Sequence, residues 1–382
     1  MRSRILLFFT GLLLVPLVTY FVILFARGYR PDFRNKEFKP TGILATSSLP
    51  ENAQVYVNGI LKTATNSNFN LEPGDYTVEI KKDGFQPWKK TLKVATEEVT
   101  RAYATLFPSV SSLKSITSTG ASIPVISSDG TKAIYFYKNI LYLLDLSESP
   151  LGLLNRDPKQ IYTLNTAPYT LIWSPDSRQI LTISTSSAQL IDLGQQPVKT
   201  ISSPSGQLAL WSQQRAAQEL QKDIILPATF REILATSAAN LVWSPKENKL
   251  LYTATASAVI PDNLIKPLPG SNSTPQARAL KPGSIYVYDV EEDKNFEIKI
   301  ENSKLKIENL RWFSDSWHLV FSQPGKITVM EYDNSNPTVI YQGPMEQDFA
   351  YPYPSGKQIL ILTNLNPSVK NSVPNLYAIS LR

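Results

Sequence analysis

The sequence predicts an all-β protein carried on one N-terminal transmembrane helix, with a small β-sandwich followed by a β-propeller of about five blades, six being possible. Three observations predict it. An uncharged apolar run opens the chain, short alternating strands bounded by Gly, Asn and Pro turns come next, and one strand–turn–strand unit then recurs to the C-terminus. With 382 residues there is room for several folded units, and 28 Pro, 16 Gly and 18 Tyr suit a chain rich in turns and strands. Cysteine is absent, which excludes disulfides, thiolate metal sites and cysteine nucleophiles.

The anchor is expected over residues 1–27. Ile5 to Ala26 holds 22 residues without a charge, and as a helix these span about 33 Å, enough for the hydrocarbon core. Arg2, Arg4 and Arg27 fence the two ends, Tyr20 and Phe21 approach one interface, and Pro16 is a tolerated break. A cleaved signal peptide is the competing reading. Against it, the apolar stretch is long and Phe25-Ala26-Arg27 leads into further basic residues instead of a small-x-small site. Residues 1–40 carry seven basic and two acidic side chains, so +5 of the formal +6 lies beside the apolar run. The other 342 residues, with 31 basic and 30 acidic groups, are close to neutral. That distribution fits anionic headgroups and excludes a nucleic-acid surface, which needs basic residues clustered on the folded part. The short N-terminal tail and the long chain after the helix favour a single-pass protein of the cell membrane with its large domain extracytoplasmic.

A polar, basic linker is read over 28–41 and a sandwich over 42–107. Gly42 to Ser48 and Gln54 to Val57 read as strands, the second closed by Asn58-Gly59, a hairpin signal because both central residues need positive φ. Pro73-Gly74 and Asp83-Gly84 bound Tyr76 to Ile80, which alternates with period two, and Trp88 to Val94 and Thr100 to Leu106 follow. The stretches Leu49-Pro50-Glu51-Asn52-Ala53-Gln54-Val55-Tyr56-Val57-Asn58-Gly59 and Leu71-Glu72-Pro73-Gly74-Asp75-Tyr76-Thr77-Val78-Glu79-Ile80-Lys81-Lys82-Asp83-Gly84-Phe85 resemble the PEGA domain family, and Trp88 with its strand extends the match. Asn52 departs from the family's Gly, but Asn tolerates left-handed backbone angles. The resemblance implies a β-sandwich found on envelope proteins and no catalysis. Tyr76, Phe85 and Trp88 are expected in its core.

Residues 108–382 repeat one unit: an apolar strand, a Pro/Asp/Gly turn, and a second apolar strand. The copies start at Trp173-Ser174-Pro175-Asp176, Trp243-Ser244-Pro245-Lys246, Trp312-Phe313-Ser314-Asp315 and Tyr353-Pro354-Ser355-Gly356, with Ile126-Ser127-Ser128-Asp129 lacking the aromatic lead. Units unable to bury both faces alone must stack radially. Asp129, Asp176, Lys246, Asp315 and Ser355 are 47, 70, 69 and 40 residues apart, against about 40–50 per blade. The two long intervals hold insertions near 207–235, helix-like around Trp211 to Leu220, and near 260–282. The chain ends complete one further blade, and a sixth requires a degenerate blade in Ser203–Ala239. The turns resemble the WSPDG repeats of TolB-like propellers, similar in style to WD repeats, a resemblance specific for architecture. It implies a platform for proteins, peptides or glycans, with some members carrying enzymes. Trp173, Trp243 and Trp312 are expected to pack between blades.

No catalytic, cofactor or metal residues emerge. His318 is the one histidine, at a generic repeat position in phase with Gln179 and Gln358, and neither a Gly-x-Ser-x-Gly elbow nor a phosphate loop is present. The repeat acids Asp129, Asp176 and Asp315 suit turn capping. Phe349, Tyr351 and Tyr353 are candidate ligand-contacting aromatics, with strand packing the plainer alternative. The expected function is a non-catalytic, membrane-anchored envelope platform for an envelope protein or cell-wall glycan. The alternative is a glycan hydrolase or lyase using carboxylates in the propeller channel.

Overall fold

A computed structural model describes residues 2–33, 36–147, 157–168, 170–194, 198–299, 306–368 and 372–381; Arg34 lies outside them, as do the side chains of Arg2, Arg4 and Ile5. The chain divides into one compact unit of Met1–Leu106 with Lys266–Pro275 and a second of Phe107–Ile265 with Gln276–Arg382.

In the first unit, α1 (Arg2–Ala26) runs through Pro16 without ending, and none of its Phe8–Ala26 stretch is buried in protein. By length and composition that stretch is long and apolar enough to cross a membrane. A short hairpin of Arg30–Asp32 and Glu37–Lys39 follows. The sandwich then forms from two sheets. One orders Ser67–Leu71, Gly42–Leu49 and Val99–Thr105; the other orders Ile60–Ala64, Gln54–Val57, Gly74–Lys81 and Trp88–Val94. Period-two alternation decides its core: every other residue of Gly42–Leu49 is buried, and Leu44, Val55, Val57, Val78, Ile80, Trp88 and Leu92 meet between the sheets. Tyr76 and Phe85 pack against that core, half-buried. The turn residues adopt the angles their types suggest, with Asn52 at φ 59°, Asn58 at 49° and Gly59 at 79°. Gly42–Leu49 and Val99–Thr105 pair in parallel, so the unit is not a simple meander. Lys266–Pro275 belongs to this unit through Gly270, whose N–H donates to Glu98 Oε2 at 3.0 Å.

The second unit is a β-propeller of five four-stranded antiparallel sheets among the described residues. Blades 1 to 4 begin at Ser122–Ile126, Thr170–Trp173, Ala238–Trp243 and Leu310–Trp312. Blade 5 takes Ala350–Pro352, Gln358–Thr363 and Asn375–Ser380 from the C-terminus and Leu113–Ser115 from the far end of the unit. Both ends of the unit thus meet in one sheet.

Second strands such as Lys132–Tyr137 are buried on both sides, which explains their continuous apolar runs. Ala133 and Tyr135 face blade 5, while Ile134 and Phe136 face blade 2. Blades 3 and 4 share a core, as do 4 and 5. Between blades 2 and 3 the arrangement changes. There α2 (Pro204–Asp223) and α3 (Ala228–Ser237) intervene. Trp211 of α2 packs on Leu181 and Ala188 of blade 2, and Phe230 and Leu234 of α3 pack on Leu250, Tyr252 and Tyr288 of blade 3. The segment that could have hidden a sixth blade is therefore helical, and its two helices cover the faces that blades 2 and 3 would otherwise turn to each other.

The repeated tryptophans report the same interruption. Trp173 Nε1 donates to Val125 O at 3.1 Å and Trp312 Nε1 to Val242 O at 3.0 Å, each reaching the inner strand of the preceding blade. Trp243 begins the blade that follows the helices, and its buried Nε1 has no acceptor. Trp312→Phe is expected to cost about 1 kcal/mol more than Trp243→Phe in chemical denaturation, since only the former breaks a hydrogen bond.

A second polar signature lies at the start of each second strand. Lys132, Gln179, Lys249, His318 and Gln358 stand in register with Asp145, Asp192, Asp289, Glu331 and Ser380 of the third strands. Gln179 donates to Asp192 Oδ2 at 3.0 Å, and Lys249 pairs with Asp289 at 3.2 Å with both side chains almost fully buried.

Candidate binding channel of the second unit

The conspicuous acids of the repeats are engaged in holding turns. Asp129 Oδ1 accepts from Ser127 Oγ at 2.6 Å and from Thr131 N–H at 3.0 Å, and Asp176 Oδ1 accepts from Ser174 Oγ at 2.5 Å and Arg178 N–H at 3.2 Å. Asp315 accepts from the Trp317 and His318 N–H groups and pairs through Oδ2 with His318 Nδ1 at 2.7 Å. Turns also meet across blades: Ser177 Oγ accepts from Asp129 N–H, and Ser316 Oγ from Lys246 N–H.

His318 is buried, with its ring edge-on to Phe107 at 5.6 Å and Phe313 at 6.2 Å. Burial pulls the imidazole pKa down, but the charge and hydrogen bond of Asp315, helped by Glu331 and Asp333, more than offset this and hold it above its ordinary value. Burial likewise opposes ionisation of Asp315, while His318 and the two backbone donors hold its carboxyl below the usual range. The pair therefore stabilises the fold fully below the ordinary imidazole pKa of about 6.5 and less as pH rises through the raised folded value. On the acid side the contribution is present above about 3.9 and is lost as pH falls through the depressed Asp315 value. Replacing His318 by Gln, the residue of blades 2 and 5, is expected to cost most near pH 5–6 and progressively less above pH 7. Unfolding free energies of both proteins across pH check this.

Two cavities open among the innermost strands. The larger, about 730 Å³, is lined from four blades, including Asp129 and Gly130, Val242 and Trp243, Arg311 and Trp312, and Tyr351. The smaller, about 410 Å³, is lined by Val125, Asp348, Phe349 and Ser322 among others, and shares Glu308, Arg311 and Tyr351 with the first. Of the three aromatics singled out in the sequence, Tyr351 lines both cavities and Phe349 the smaller one. Tyr353 is 5 % exposed and sits in the core shared by blades 5 and 1, because it occupies the repeat position of Ser174, where the chain turns away from the channel.

Register shows why Arg311 and Tyr351 are there. The backbone bonds Ser127→Lys132, Ser174→Gln179, Ser244→Lys249, Phe313→His318 and Tyr353→Gln358 align the five blades residue for residue. Two positions before those donors stand Val125, Ile172, Val242, Arg311 and Tyr351. An aliphatic position in three blades becomes a cation in blade 4 and a phenol in blade 5. The sequence reading missed Arg311, Glu308 and Trp243 as cavity residues; the departure from aliphatic character at an aligned position was the available signal for Arg311.

Arg311 is open to solvent, and its Nη1 donates to Leu310 O at 2.8 Å and to Glu308 O. Crowding by the surrounding strands lowers its pKa, against Tyr351 and Glu308. Burial raises the Tyr351 pKa, with Arg311 opposing and Asp129 adding to the rise, so the phenol is neutral at ordinary pH. A Cβ on Gly130 would lie 2.6 Å from Tyr351 Oη, and Gly130 has φ +72°, so the phenol rests where only glycine leaves room. Lys222, at the end of α2, pairs with Glu247 at 2.8 Å on the rim of the larger cavity. Arg311 and Tyr351 Oη offer donors beside apolar wall, an arrangement suited to carbonyl, carboxylate or hydroxyl groups. No cluster of three or more potential metal ligands occurs among the described residues.

Residues 41–109 match the PEGA domain family. No curated protein matches the chain. Solved structures similar to it include a protein assigned as TolB from Agrobacterium tumefaciens, 12 % identical over 66 % of this chain and 76 % of that one, with a TM-score of 0.24. TolB from Acinetobacter baumannii is 15 % identical over 80 % of this chain and 59 % of its own, with a TM-score of 0.25. The Swd1 β-propeller domain of Myceliophteria thermophila is 9 % identical over 71 % of this chain and all of its own, with a TM-score of 0.30.

Proposed function

We propose that this is a single-pass membrane protein of the cell envelope, its large part extracytoplasmic, whose propeller binds an envelope protein or cell-wall glycan at the cavities without catalysing a reaction. Arg311 and Tyr351 support this reading best: two blades give up an aliphatic wall position for hydrogen-bonding groups that face shared open volume. The repeat acids, by contrast, are committed to turns. The full chain in lipid nanodiscs, challenged with envelope fractions and with purified cell-wall glycan, tests it. An envelope protein or the glycan should be retained, and Arg311→Ala or Tyr351→Phe should weaken retention about tenfold or more, as expected of a central contact, with the unfolding midpoint little changed. Failure to retain either, or retention unaffected by both substitutions, contradicts the reading.

A second reading, a glycan hydrolase or lyase, is favoured by Glu308, which lines both cavities. It requires reducing ends or unsaturated products to accumulate from the glycan, and their loss in Glu308→Gln.

A further inference from the structure

The hairpin after α1 folds back along the helix that precedes it. Gly28, at φ +89°, turns the chain, and the Thr41 hydroxyl donates to Gly28 O. Phe38 then packs on Phe21 at 5.4 Å and on Phe25 at 6.0 Å between ring centroids. The Arg30 guanidinium lies over the Phe25 ring at 5.7 Å. Arg30 pairs with Lys39 and Pro31 with Phe38, so the paired strands run from the level of Phe25 towards that of Phe21. Phe21 stands five residues inside the end of α1, about 7.5 Å along the axis. Lipid-exposed sheet edges do not occur within the hydrocarbon layer, so a hairpin packed at that level of a spanning helix sits among the headgroups.

The exposed chemistry matches that layer. Phe33 is 88 % exposed, an unusual state for a large aromatic ring in water. Among the described residues of this hairpin, Arg30, Lys36 and Lys39 stand against Asp32 and Glu37, and Asp32 is neutralised by Lys39 at 2.8 Å. A ring beside a net positive charge is the composition of an interfacial membrane contact.

We propose that the paired strands Arg30–Asp32 and Glu37–Lys39, with Phe33, form a second membrane contact, seated on the headgroups of an anionic bilayer with Phe33 at the acyl boundary. It fixes the end of α1 against the lipid surface, where a lone helix would be free to rotate. The inference rests on α1 spanning the bilayer. Because the chain has no cysteine, single-cysteine variants accept an environment-sensitive fluorophore at one place. Phe33→Cys, Val15→Cys in α1 and Val110→Cys, which is as exposed as Phe33, are each labelled in the full chain. They are then reconstituted in phosphatidylcholine vesicles with and without phosphatidylglycerol. The label at 33 should emit to the blue of that at 110 and be quenched by nitroxides near the headgroups, more strongly with the anionic lipid. The label at 15 should be quenched by nitroxides deep in the acyl chains. A water-like, unquenched label at 33 with a quenched label at 15 overturns the hairpin contact alone. Quenching at 33 that is indifferent to phosphatidylglycerol overturns its anionic preference. An unquenched label at 15 overturns the spanning helix and the inference together.

Discussion

Replacing Lys249 by Ala is expected to destabilise the propeller by about 3–5 kcal/mol, because it leaves the Asp289 carboxylate buried without its cation. Lys249 is 1 % exposed, its ammonium 3.2 Å from Asp289 Oδ2 and held over the rings of Trp317 at 4.8 Å and Tyr332 at 4.5 Å. Asp289 is fixed in turn by the N–H groups of Glu291 and Glu292. Both N–H groups reach Oδ1, so Lys249 is the partner of the other oxygen, Oδ2. For a unit of this size the loss corresponds to roughly 10 °C in Tm. Lys249→Arg keeps the charge and should cost less. A loss below about 1 kcal/mol for the alanine variant would mean that water reaches the site and screens the pair as at a surface.

Phe230→Ala is expected to cost about 3–5 kcal/mol, the range for removing a fully buried aromatic ring. Its ring stacks on Tyr288 at 4.0 Å and meets Tyr252 edge-on at 6.1 Å, and all three are among the most buried side chains of the chain. The substitution asks whether α3 completes blade 3 or decorates it. If the helices fill the sector between blades 2 and 3, the loss should appear in the cooperative unfolding of the whole propeller. Local fraying of residues 204–237 with the main transition unmoved would show the helices to be a surface insertion.

The parts of this fold written in local chemistry were legible in the sequence. An uncharged run of 22 residues, Asn58-Gly59 at positive φ, and serines and acids that cap turns by short hydrogen bonds each act within a few residues. Repetition made the propeller legible as well, since Trp173, Trp243 and Trp312 mark one position in three blades. Partners far apart along the chain left no such trace. The parallel pairing of Gly42–Leu49 with Val99–Thr105, the recruitment of Leu113–Ser115 into the last blade, and the packing of α3 on Tyr252 and Tyr288 join segments whose own patterns do not name each other. The candidate site was read only in part for the same reason. Aromatic density pointed to Phe349, Tyr351 and Tyr353, yet which of them meets open volume depends on register, and register also brings Arg311 beside Tyr351. Composition could not distinguish Tyr353, in the core, from Tyr351, two residues earlier, in the channel wall.

Everything proposed here depends on α1 remaining in the chain and in the lipid, because the basic flank, the hairpin and the tethered propeller have their roles only at a bilayer. The most direct measurement is the intact mass and N-terminal sequence of the protein isolated from cells, taken together with its distribution after alkaline carbonate washing of the membranes. The account expects α1 to be present in the isolated chain, with the protein retained in the washed membranes. A chain that begins past Ala26 and is released into the wash would contradict it.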